Sequence, residues 1–209
     1  MPGRNPADAI RAYTEPLQRA VSCLPGSGKI VLFTSKVTKP GDESAWILNG
    51  EEGLHIPRLG VLEARQHFRL VNTDQSRFGR SVGKFRVTTL SYLYSLRLGS
   101  DHEICWHWHP TGEGDEQRPH MHLSFAGPGH LPCARHTFED IIESCIELSG
   151  GVAACDDWRT RLDQSRSVHT EHRSWVDWQG APAALVKEIV EGLKPVAQEA
   201  QRRLKRSSR

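Results

Sequence analysis

The sequence predicts an α+β fold: an antiparallel β-sheet laid out as a meander that includes a histidine-rich hairpin, with helices packed on one face and a C-terminal helix. Three observations predict it. Apolar residues alternate with period two through most of the stretch from residue 30 to residue 125, the spacing changes to three and four after residue 137, and the breaks between runs are turn-forming stretches such as KPGDES and NGEEG.

Taken in order, Ile10, Tyr13, Leu17 and Val21 are spaced for an amphipathic helix from about residue 6 to 23, with an interruption expected at Pro16. The following Pro25-Gly-Ser-Gly-Lys29 has the look of a phosphate loop. Cys23 stands where that motif needs its first glycine, however, and the IVLFTSKV that follows is strand-like, so the motif is rejected. Strands are expected at 30–37, 45–48, 61–71 and 84–98, with Asn49-Gly50 as a turn. Phe138, Ile141, Ile142, Cys145, Ile146 and Leu148 then mark a helix with Thr137 as N-cap, Asp140 three positions on as an imperfect capping box and Gly150-Gly151 ending it. A short helix is expected at 156–163, then a polar stretch with His169, Trp175 and Trp178, then a final helix from Pro182. Residues 1–180 thus read as a single α+β domain, and 181–209 as a C-terminal helix with a basic tail whose loss should leave folding intact.

Composition limits the function. Lys and Arg number 27 against 25 Asp and Glu, a net charge of +2, so any affinity for nucleic acid must come from a local patch. No apolar run has the length of a membrane span and the N-terminus lacks the apolar core of a signal peptide, which points to the cytoplasm and away from membranes. The five cysteines are odd in number and contain no C-x-x-C, so reduced thiols are expected.

The chemistry concentrates in HEICWHWHPTGEGDEQRPHMHLSF, residues 102–125. Ile104, Trp106 and Trp108 alternate with Cys105, His107 and His109, and Met121, Leu123 and Phe125 alternate with His120, His122 and Ser124. A symmetric hairpin centred between Gly114 and Asp115 sets His109 opposite His120 and His107 opposite His122, all on one face. Two or three of these four neutral imidazoles suit zinc or manganese with one position left for water, and two histidines of unequal pKa suit general acid–base chemistry. Glu113, Asp115 and Glu116 on the connecting loop can complete such a site or be solvated. His130, Arg135 and His136, ahead of the Thr137 helix, are candidates for gripping phosphate.

Pro119-His-Met-His-Leu-Ser resembles the metal-binding strand of HUH endonucleases, which implies a divalent ion on His120 and His122 and attack on phosphate by a tyrosine. No tyrosine follows Tyr94, so Tyr92, Tyr94 or water must serve. The same segment is similar to the histidine-triad motif of nucleotide hydrolases with Ser124 in place of the third histidine, and His107-x-His109-x-x-x-Glu113 resembles the first cupin metal motif. From about Tyr92 to Trp175 the chain also resembles small bacterial proteins distantly similar to TumE-type toxin components, a likeness that implies an antitoxin-like protein partner. The expectation is a phosphodiester-cleaving hydrolase, a toxin-like nuclease using His107, His109, His120, His122 and Tyr92. The alternative is a non-catalytic protein with a structural histidine site that binds a metal or a partner.

Overall fold

The computed structural model describes residues 2–33, 37–79, 83–109, 118–127 and 129–171. The expected loop acids Glu113, Asp115 and Glu116, Trp175 and Trp178, the helix from Pro182 and the basic tail lie outside these residues.

Helix α1 (Pro6–Val21) opens the described chain, its N-terminus capped by Asn5, whose side chain accepts from the Asp8 amide. Strands β1 (Ile30–Leu32), β2 (Glu43–Leu48), β3 (Leu54–Ile56) and β4 (Gly60–Asn72) follow, then a single-turn helix α2 (Gln75–Phe78) and the long β5 (Phe85–Leu98). Strands β6 (His102–Trp108), β7 (His120–Leu123) and β8 (Leu131–Pro132) lead to helices α3 (Phe138–Leu148) and α4 (Trp158–Glu171). The eight strands form one antiparallel sheet in the order β1-β2-β4-β5-β6-β7-β8, with β3 pairing β4 beyond the end of β2. The fold is therefore α+β, and β5-β6-β7 is the expected meander.

One face of this sheet carries the core. Trp46, Phe68, Tyr94, Leu96, Ile104, Trp106 and Met121 are all buried on it, because period-two alternation sends their neighbours to the other side. The helices close that face: Phe138 of α3 packs on Trp46 and Tyr94 with ring centroids 5.0 and 5.5 Å away, and Tyr13 of α1 packs 5.5 Å from Phe68. A polar chain is sealed within the core. The Tyr13 hydroxyl and the Trp46 indole donate to Gln66 Oε1 at 2.7 and 3.1 Å, and the Gln66 amide donates to Thr89 at 2.7 Å.

Three expectations are corrected. Helix α1 runs through Pro16, which is buried together with Leu17, Ala20 and Val21, so packing against the core outweighs the one lost backbone hydrogen bond. Asn49 and Gly50 both hold positive φ, as a turn there requires, but they lead into a 3₁₀ turn (Gly50–Glu52) and not into a hairpin. Helix α4 extends well past residue 163 because its inward positions beyond Leu162 are Ser165 and His169, buried polar residues that carry no apolar periodicity. Both meet Glu139 of α3. Ser165 donates to Glu139 Oε1 at 2.7 Å, His169 Nδ1 shares a short hydrogen bond with the same oxygen, and His169 Nε2 donates to the Tyr13 carbonyl at 3.0 Å. Outside this pairing, Arg166 binds Asp140 at 2.9 Å and Glu143 at 2.6 Å.

Candidate metal centre

The side chains of β6 and β7 alternate, so the face that turns away from the helices receives Cys105 and His107 from one strand and His120 and His122 from the other. The strands pair with His107 opposite His120 and Cys105 opposite His122, two residues away from the symmetric register. An even slip leaves every side chain on its original face. All four expected histidines therefore converge, although with different neighbours. His107 lies 5.4 Å from His120 and 4.9 Å from His122 between ring centroids, and His109 lies 5.5 Å from His120.

A fifth imidazole completes the group. Strand β8 pairs with β7 through His120–Pro132 and Met121–Leu131, and one further step of that register sets His130 opposite His122. His130 is 4.6 Å from both His120 and His122. It was expected to grip phosphate beside the α3 N-terminus, and the two-residue strand that repositions it has no signal in a stretch rich in glycine and proline.

Two sets of three ligand atoms, each set within 4.8 Å, emerge among the described residues: His107, His109 and His120, and His120, His122 and His130. Tetrahedral ligation at Zn–N distances of ~2.0–2.1 Å needs nitrogens about 3.3 Å apart, so small rotations of the rings suffice. His120 belongs to both sets. It is also the buried member, 1% exposed, and its Nδ1–H donates to the Arg118 carbonyl at 2.8 Å, which fixes the tautomer and leaves Nε2 as the ligand atom. Because one nitrogen of His120 serves both sets, they are alternative positions for one ion or parts of a single larger shell.

The protonation states favour binding. Burial, and then His122, His120 and His109 beside it, push His107 down to about 4, and burial followed by His120 and His130 lowers His122. Both rings are neutral at pH 7, the form that ligates metal. Cys105 Sγ lies 3.0 Å from His107 Nε2, and burial, then Glu103, raises its thiol to about 12, so it stays a thiol.

Tyr92 does not join them. It is on the opposite, helix-covered face, 3% exposed, stacked on Tyr94 at 4.6 Å, and its hydroxyl accepts from the His136 amide at 3.1 Å. Burial raises its pKa well above the usual phenol range. Arg135 and His136 are likewise engaged on that side: the Arg135 guanidinium lies 3.3 Å from the centroid of the Trp108 ring, and His136 is 7% exposed. No family model, curated protein or solved structure matches the chain. No helix among the described residues is long and apolar enough to cross a membrane.

Proposed function

We propose that the protein is a metal-dependent hydrolase of phosphodiester bonds, a nuclease in the broad sense. The observation that carries this is the His107–His109–His120 set on the solvent-facing side of the sheet: three nitrogen ligands from rigid strands or their ends, which leaves a coordination position free. When bound, a divalent ion such as zinc or manganese supplies Lewis-acid polarisation of a phosphoryl oxygen. His120, anchored through Arg118, orients that ion. Neutral His122, beside it, takes the proton of the attacking water, and exposed His130 is placed to return a proton to the leaving oxygen. With Tyr92 in the core the nucleophile is water, so the reaction is hydrolysis without a covalent tyrosyl intermediate.

A second reading is favoured by one observation. Five imidazoles exceed what an open catalytic site needs, and a shell closed by four of them would be a structural site in a non-catalytic metal-binding or partner-binding protein. Elemental analysis of the purified protein, X-ray absorption counting of nitrogen ligands, and incubation with RNA and DNA with and without chelator decide between them. Three protein nitrogens with chelator-sensitive cleavage is the expected result. A four-nitrogen shell with no cleavage under any divalent metal overturns the hydrolase.

A further inference from the structure

Among the described residues no helix packs on the face of the sheet that carries the histidines. Following the register across the strands, Ile47 of β2 pairs Arg65 of β4, Arg65 pairs Leu93 of β5, Leu93 pairs His107 of β6, and His107 pairs His120 of β7. These residues form one continuous row, all on the open face, ending in the candidate metal centre. A cavity of about 620 Å³ occupies the β1-to-β5 side of this row, with Phe33, Ala45, Ile47, Leu93, Arg65 and His67 in its walls. Its volume is that of a small-molecule site, and its make-up, mostly apolar with a few polar groups, is also that of one.

The charges in it are unequal in their freedom. Glu63 is engaged by Arg97, and Glu51 lies on the 3₁₀ turn at the β2 end. Arg65 is exposed and forms no ion pair or hydrogen bond among the described residues. Its guanidinium projects from the strand two places from β6, roughly 10 Å across the sheet at about 4.8 Å per strand, a gap that a long arginine side chain and a histidine span from either side. Phe33, 53% exposed, and Val31, 38% exposed, stand at the far edge as apolar surface with no covering element among the described residues.

We infer that this cavity is the substrate groove of the histidine centre and takes a short single-stranded phosphodiester, a nucleotide base lying on the Phe33, Ile47 and Leu93 wall while Arg65 holds the phosphate and presents it to His107 and His120. The inference rests on the hydrolase reading and names its substrate class. A planar base suits an apolar wall on a sheet face because stacking and apolar contact need no donor pattern. A guanidinium binds a phosphate through two parallel hydrogen bonds. One free arginine and one histidine match one or two phosphates, whereas a duplex is held by many phosphate contacts.

The test uses the full chain freed of metal and titrated calorimetrically with adenylyl-(3′→5′)-adenosine, so that binding is read without cleavage. Saturable binding at one site is expected, weakened about tenfold or more in Arg65→Gln, abolished in Leu93→Glu, and much weaker for adenosine, which lacks the phosphate. Arg65→Gln alters an exposed side chain, so it keeps the test decisive where Leu93→Glu fails to fold. In the metal-loaded protein Arg65→Gln should raise KM for a single-stranded oligonucleotide at least tenfold while changing kcat less and leaving metal content unchanged. Absence of saturable binding to the wild type, or equal affinity in wild type and Arg65→Gln, overturns the groove. Wild type that binds the dinucleotide but cleaves nothing overturns the hydrolase and not the groove, and cleavage with an unaltered KM in Arg65→Gln does the reverse.

Discussion

His120 and His107 are adjacent imidazoles with different surroundings. His120 is buried, tethered to the Arg118 carbonyl and common to both ligand sets. His120→Ala should therefore abolish metal binding as read by elemental analysis, whereas His109→Ala or His130→Ala each spares one set and should leave measurable metal. If His122 is the base, His122→Ala should lower the cleavage rate roughly 10²- to 10⁴-fold, the usual worth of one proton-transfer group. His107 supplies a pH dependence. In the unfolded chain it titrates near 6.5, and in the fold near 4. Between those values the unfolded chain holds a proton that the folded protein does not, so acidification through the window destabilises the fold, and the penalty is absent above 6.5. Metal-free protein should show a falling urea midpoint from pH 6.5 to 4, with a shallower fall in His107→Gln. Equal slopes would remove His107 as the cause.

At the scale of elements, the capping box is the most legible feature of the sequence. Thr137 Oγ1 accepts from the Asp140 amide at 3.1 Å and the Asp140 carboxylate accepts from the Thr137 amide at 2.6 Å. Thr137→Ala should cost about 1 kcal/mol in a denaturant titration, within the ~0.5–2 kcal/mol range for such caps. The histidine face was legible for the same reason: alternation is a local signal, and it survives a change of register by two. The register itself was not legible, because a long polar connection leaves the strands free to pair off-centre. Helix α4 was half-legible, since Trp158 and Leu162 announce it but Ser165 and His169 look like loop residues until Glu139 is seen opposite them. Leaving a buried hydrogen-bonding group without its partner typically costs ~1–3 kcal/mol, and Glu139 serves two such groups, Ser165 and His169. Glu139→Ala should thus loosen α4 and lower the melting temperature far more than Arg159→Ala, which breaks only the exposed 2.9 Å pair with Glu147.

Across the whole molecule the two faces of the sheet differ in what they carry. Helices α1 and α3 cover the side of Trp46, Tyr94 and Trp106, and the side of Arg65, His107 and His122 has no helix packed on it among the described residues. Tyr92 was misplaced at the level of the sequence because resemblance to a tyrosine-dependent endonuclease attends to residue type, whereas strand parity decides the face: Tyr92 pairs Trp108 and Leu93 pairs His107. The parity carries a prediction about separability. Trp106 is 2% exposed and lies among the core aromatics, so Trp106→Ala should cost about 3–5 kcal/mol. His122→Ala removes a partly buried ring from the opposite face and should change stability by only about 0.5 kcal/mol in metal-free protein, while the His107–His109–His120 set still holds metal. A chelator titration and a thermal melt on the same two variants measure both quantities. If His122→Ala lowers the metal-free melting temperature as much as Trp106→Ala does, the imidazole face is itself part of the scaffold and the division of the sheet into two roles fails.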